Sequence, residues 1–178
     1  EELMQQLIAL PSSSCTNPAL DQGNRNVINT LANWLEDLGF STDIQPLNAD
    51  GGKANLIATI GKGRNGLILA GHTDTVPYDE NRWNSDPFRL TETHGRLYGL
   101  GTADMKSFFA LIIEAVRELD LSSLQQPLII LATADEETSM NGARALNAGH
   151  LQGARFALIG EPTGLKPVRM HKGMMMEA

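Results

Sequence analysis

Four apolar stretches of this sequence each run into a carboxylate or an imidazole. Leu67-Ile68-Leu69-Ala70 leads to Gly71-His72-Thr73-Asp74, and Tyr98-Gly99-Leu100-Gly101 leads to Thr102-Ala103-Asp104. The run from Pro127 to Ala134 ends in Asp135-Glu136-Glu137, and Ala157-Leu158-Ile159-Gly160 ends in Glu161-Pro162. One imidazole nitrogen among carboxylate oxygens suits Zn, Co or Mn better than a thiolate-rich structural zinc site would. His72 and Asp74 stand two residues apart, and in extended backbone such residues point the same way. Asp74 can therefore orient the His72 ring or share its site. Each acid also has a plain structural reading: Asp104 as the N-cap of the helix after it, and Asp135 to Ser139 as caps of the next one. A dinucleotide loop at Gly99-Leu100-Gly101 is disfavoured, because the third glycine is missing and Asp104 would repel phosphate.

These groups meet only if the elements carrying them end on one edge of a sheet. Pro127–Thr133 has no polar alternation, the pattern of a strand buried on both faces of a parallel sheet. In open α/β sheets the carboxyl ends of the strands are where ligands sit. Further strands are expected at Ser41–Leu47 and Ala54–Ile60, as a hairpin or meander, and at Leu67–Ala70, Arg96–Tyr98 and Phe156–Ile159, with an extended piece near Val168–His171. Helices are expected at the opening residues and over Ala19–Leu38, Lys106–Leu119 and Asn141–Ala148. In the second of these, Val27, Ile28, Leu31, Trp34, Leu35 and Leu38 form one stripe, and Gly39 closes it. Pro11 to Pro18 reads as a loop. The alternation of strands and helices predicts an α/β domain, three-layer α/β/α, with a mostly parallel or mixed central sheet.

The 178 residues suffice for one core and are too few for two comfortable domains. A net charge of −7 without clustered Lys or Arg argues against a nucleic-acid partner. The sequence has neither an apolar run near the ~20 residues of a membrane span nor an opening signal peptide. The single Cys15 cannot form an internal disulfide. A cytoplasmic setting with no membrane partner is expected. The chain opens at Glu1 without Met and stops in the apolar run Met174-Met175-Met176, which reads as part of a longer polypeptide.

Gly71-His72-Thr73-Asp74-Thr75-Val76-Pro77, Gly99-Leu100-Gly101-Thr102-Ala103-Asp104-Met105-Lys106, Asp135-Glu136-Glu137 and Gly160-Glu161-Pro162-Thr163 together resemble, in order and spacing, the signature segments of the M20 family of dinuclear zinc aminoacylases and peptidases. Within it, Arg82-Trp83 before Asp86-Pro87-Phe88 places the resemblance nearest the deacetylases of N-acetylated amino acids. The resemblance implies a zinc-exopeptidase-like catalytic domain over residues 1–173, with 174–178 beginning an absent lid domain through which the complete protein dimerises. It implies that His72 and Glu161 bind one metal, that Glu137 binds a second and that Asp104 bridges them. Glu136 would be the general base, Asp74 the partner of His72, and the Asp104–Met105 peptide cis. The cofactors implied are two divalent ions, Zn ahead of Co or Mn, and the substrate is a small N-acyl amino acid. The family's second metal takes a further His from the C-terminal part of its enzymes. His94, His150 and His171 are poor matches for it, so the second site is expected to be incomplete and this chain nearly inactive. Two alternatives stay open: a deacylase of another substrate, such as succinyl-diaminopimelate or a dipeptide, and a non-catalytic metal-binding module.

Overall fold

The apolar run that ends in three acids forms the middle of the sheet. In the computed structural model, which describes residues 1–151 and 153–170, the strands are β1 (Ser41–Pro46), β2 (Ala54–Ile60), β3 (Gly66–His72), β4 (Thr91–Thr93), β5 (Arg96–Tyr98), β6 (Leu128–Thr133) and β7 (Ala154–Ile159). Five of them form one mixed sheet in the order β1-β2-β6-β3-β7, and β4 and β5 make a separate hairpin. β6 lies antiparallel to β2, with Leu56 opposite Ala132, and parallel to β3, with His72 opposite Thr133. β7 runs parallel on the far side of β3, with Ile159 opposite Ala70. The register therefore brings His72, the residues after Thr133 and the residues after Ile159 to the same carboxyl edge.

Alternation along β6 divides the core. Leu128, Ile130 and Ala132 join Leu56 and Ala58 beneath three helices, α1 (Glu2–Ile8), α2 (Arg25–Asp37) and α3 (Lys106–Arg117). Ile129 and Leu131 join Ile57 and Ile68 on the other face. There the cover is thin: Leu146, just after the five-residue α4 (Asn141–Ala145), and Leu151, the last residue of the 3-10 turn that follows. A fully buried Leu or Ile contributes roughly 1.5–3 kcal/mol, so the helical face holds most of the stability.

α2 begins at Arg25 rather than Ala19. The Asn24 side chain does not cap the helix but turns to the sheet, donating to the Ala54 carbonyl at 2.8 Å and to Thr73 Oγ1 at 2.7 Å. At Gly23 a Cβ would lie 2.3 Å from the Gly52 carbonyl oxygen, so the chain presses too closely there for a helix to run on. α4 ends at Ala145, short of Ala148. Val168 to Met170 are described and form no strand, whereas His171 and the supposed lid residues 174–178 lie outside the described residues. No helix among the described residues is long and apolar enough to cross a membrane.

Candidate metal centre

His72 ends β3 with its side chain 2% exposed. Its backbone N–H points at Met105 Sδ, 3.5 Å away, and a Cβ at Gly71 would lie 2.5 Å from Met105 Cε, so any larger residue there would displace the Met105 thioether. The ring is held from one side by the Asp74 carbonyl, 3.0 Å from Nδ1. A carbonyl can only accept, so Nδ1 carries the proton and Nε2 faces the acids. Nε2 is 3.0 Å from Asp104 Oδ1, 3.7 Å from Glu161 Oε1 and 4.0 Å from Glu136 Oε2. Two sets of possible ligands follow, His72 with Asp104 and Glu161, and His72 with Glu136 and Glu137, each with its donor atoms within 4.8 Å of one another. A tetrahedral zinc with bonds of about 2.0–2.1 Å separates its donors by roughly 3.4 Å. The separations of 3.0 and 3.7 Å around His72 bracket that value, so the residues present fit a divalent cation.

The capping readings of the acids do not hold. Met105 occupies the N-cap position of α3, and Met140 that of α4, neither with a side-chain cap. Asp104 precedes a cis peptide bond to Met105 and stays about half exposed, its side chain turned to His72. Asp135 adopts a left-handed φ of 58° and bonds Lys53 Nζ at 2.6 Å, with Asp21 on the same ammonium at 2.7 Å.

Asp74 has a different position from the one its spacing suggests. Its carboxylate lies 3.6 Å from His72 Nδ1, beyond a good hydrogen bond, and its backbone oxygen takes that proton instead. The carboxylate accepts the N–H of Glu136 on Oδ1 and that of Glu137 on Oδ2, both at 3.1 Å. It also accepts the Ser14 hydroxyl at 2.6 Å. Pro11 to Pro18 is a loop as expected, but its Ser12, Ser13 and Ser14 form a buried strap laid parallel to residues 73–75, bridged at Ser13 and Thr75. Three small hydroxyl residues carry no periodicity, so sequence reading had no signal for this pairing.

Electrostatics fit the same picture. Glu137 is pushed up to about 7 by burial and then by the charge of Asp104. Glu161 is raised by burial, with His72 pulling the other way and Asp104 adding to the rise. Burial would lower the pKa of His72, but the charges of Asp74, Glu161, Asp104 and Glu136 outweigh it and raise the net value. Among the described residues no Lys or Arg pairs with Asp104, Glu136, Glu137 or Glu161. Lys106 is fully buried, donates to the Leu10 carbonyl at 2.9 Å, and is lowered to about 8 by burial.

The profile of peptidase family M20/M25/M40 matches residues 68–172. Over 177 residues the chain is 61% identical to an acetylornithine deacetylase of Proteus mirabilis (strain HI4320), covering 99% of this chain and 46% of that protein. It is 57% identical over 178 residues to an acetylornithine deacetylase of Pasteurella multocida (strain Pm70), again covering 46% of it. The chain thus spans about half the length of the curated relatives it matches. The fold is shared with human carnosine dipeptidase 1 at a TM-score of 0.75 and 20% identity, over 89% of this chain and 37% of that one. It is shared with the metallo-carboxypeptidase Sso-CP2 of Sulfolobus solfataricus at a TM-score of 0.66 and 21% identity, over 88% and 36%. With more than half of its length matching that family and its acids gathered on one sheet edge, the chain belongs to peptidase family M20/M25/M40.

Proposed function

We propose that this chain is the catalytic portion of a metal-dependent amide hydrolase that removes the acetyl group from N2-acetyl-L-ornithine, giving acetate and ornithine in arginine biosynthesis. The observation that carries this reading is the meeting of His72 Nε2 with Asp104 at 3.0 Å and Glu161 at 3.7 Å, on the edge that also bears Glu136 and Glu137. His72, Asp104 and Glu161 would hold one divalent cation, and Glu137 with the bridging Asp104 a second, Zn ahead of Co or Mn. Bound there, such cations polarise the scissile carbonyl and lower the pKa of water toward 7. Glu136 would take the proton of the attacking water on its carboxylate and hand it to the amide nitrogen as the C–N bond breaks. The Asp74 carbonyl fixes the His72 tautomer, and its carboxylate holds the two amides from which Glu136 and Glu137 project.

The high identity to acetylornithine deacetylases supports the substrate. We place the complete protein in the cytoplasm, as a homodimer formed through a lid domain, with this chain alone turning over little. The test uses the complete polypeptide. Its metal content is measured, and N2-acetyl-L-ornithine, N-succinyl-diaminopimelate and dipeptides are compared. At least a tenfold preference in kcat/KM for acetylornithine is expected, abolished by chelation. A preference for another amide overturns the substrate, and failure to take up a cation overturns the whole reading.

A further inference from the structure

We propose that Ser14 is a positioning residue for this centre: its hydroxyl holds the Asp74 carboxylate in the orientation that receives the amides of Glu136 and Glu137. The inference rests on the roles proposed above for those two glutamates and assigns what keeps them in place.

Ser14 is 1% exposed and Asp74 2%. The Asp74 carboxylate has three donors besides the distant His72 ring: Ser14 Oγ at 2.6 Å and the Glu137 N–H at 3.1 Å on Oδ2, and the Glu136 N–H at 3.1 Å on Oδ1. Two successive amides can feed both oxygens only while the carboxyl plane stands one way, and rotation about Cβ–Cγ is otherwise soft. The short hydroxyl bond, charge-assisted and therefore about twice the strength of a neutral one, pins that plane. Ser14 is itself held. Its N–H donates to the Thr75 carbonyl at 2.9 Å, Thr75 N–H donates to the Ser12 carbonyl at 3.2 Å, and Ser12 Oγ donates to the Thr73 carbonyl at 2.7 Å. Position is thus passed from a strap near the N-terminus, across 60 residues of sequence, to a turn that bears two chemistry-bearing acids. Asp104 and Glu161 are set by other elements and are outside this chain of bonds, so the effect of losing it falls on one half of the centre.

The experiment compares the wild-type complete polypeptide with Ser14→Ala, Ser14→Cys and Ser13→Ala. Ser13 lies in the same strap, but its hydroxyl meets Thr75 Oγ1 at 3.2 Å and has no link to Asp74. Amide hydrogen exchange of Glu136 and Glu137 is read by NMR on metal-free protein. Ser14→Ala should speed exchange at these two amides about tenfold, and Ser13→Ala should leave it unchanged. Ser14→Cys, near in size with a weak S–H donor, should show the same change in smaller degree and serves if the alanine variant does not fold. In Co2+ titrations followed by visible absorption, Ser14→Ala should weaken the step that depends on Glu137 about tenfold, in the range for outer partners of metal ligands, and leave the other step within twofold. The kcat should fall by a similar factor with KM within twofold. Unchanged exchange in Ser14→Ala, or equal acceleration in Ser13→Ala, overturns the inference. If the wild type takes up no cation and hydrolyses no N-acyl amino acid, the proposed function fails, and the exchange comparison still decides on Ser14.

Discussion

Glu136 sits farthest from the His72 nitrogen of the three acids that face it, at 4.0 Å against 3.0 Å for Asp104 and 3.7 Å for Glu161. The role proposed for it is to carry a proton, although it also belongs to the second set of possible ligands. Gln keeps its shape and one acceptor oxygen but cannot take up the proton. Glu136→Gln in the complete polypeptide is expected to lower kcat by about 10²–10⁴, the usual share of general acid–base catalysis, with metal content unchanged. Unchanged turnover would overturn Glu136 as the general base, and no turnover in the wild type either would mark a metal-binding module without catalysis. Lys53 acts on the same turn from behind. Burial would lower its pKa, but the hydrogen bonds to Asp135 and Asp21 outweigh it and raise the net value. Lys53→Met would leave Asp135, 8% exposed, without its cation. A loss of about 2 kcal/mol at pH 7 is expected, between the values for exposed and fully buried pairs because Lys53 and Asp21 still meet water. A raised lysine pKa means that the folded state holds the proton more tightly, so the contribution is whole below the ordinary value of about 10.4 and is lost as pH rises through the raised one. The stability gap between wild type and variant, read by urea unfolding, should be flat from about pH 6 to 9 and narrow above about pH 10. A gap that stays constant to pH 11 counts against the ion pair.

The element that bears Glu136 and Glu137 is not a helix or strand but the connection from Ala134 to Met140, and its shape is set from β2. Asn55, fully buried, accepts the Ala134 N–H at 3.2 Å and donates to the Gly142 carbonyl at 2.8 Å. Gly142 leaves no room for a side chain, since a Cβ would lie 2.4 Å from the Ala134 carbonyl oxygen. Asn55→Leu would leave a buried amide and a buried carbonyl without partners, at about 1–3 kcal/mol each. The expected outcome is a fall in unfolding free energy of about 2–4 kcal/mol with an unchanged denaturant slope. A loss below about 0.5 kcal/mol would show that water replaces the amide. What could be read from sequence and what could not divide along this line. β6 was legible as an unbroken apolar run, and His72, Asp104, Glu136 and Glu161 because each follows such a run at a strand or loop end. The hairpin of β1 and β2 was legible from its turn glycines. Asn24, Asn55, Lys53 and Ser14 were not, because each acts through side-chain bonds to partners far along the chain, 87 residues away for Asn55 and Gly142, and such bonds leave no period in the sequence. The late start of α2 has the same origin, since Asn24 is drawn to the sheet.

At the scale of the molecule, one imidazole serves two sets of ligands. Both groups of candidate donors include His72, and its Nδ1 is engaged by the Asp74 carbonyl at 3.0 Å. A single remaining nitrogen cannot bind two cations at once. His94 is exposed in the β4–β5 turn at a φ of 54° and does not approach the centre, so among the described residues the second set has carboxylates only. Carboxylates without a nitrogen donor hold zinc-like cations less firmly than a mixed set does. The outer edge of the sheet points the same way. β7 leaves Phe156 60%, Leu158 50% and Ile159 63% exposed, apolar surface on an edge strand of the kind that complete domains keep covered. The chain covers 46% of the Proteus relative, and a second nitrogen donor and a cover for β7 are both sought in a complete polypeptide of that length. Equilibrium dialysis against Co2+ should then give one cation per chain at micromolar concentration for the 178-residue chain and two for the complete polypeptide. N-Acetylornithine hydrolysis by the shorter chain should be at least a hundredfold slower, about 3 kcal/mol less transition-state stabilisation. Two cations bound with equal affinity by the 178-residue chain would refute the shared-imidazole argument, since a second nitrogen donor would then have to lie within it.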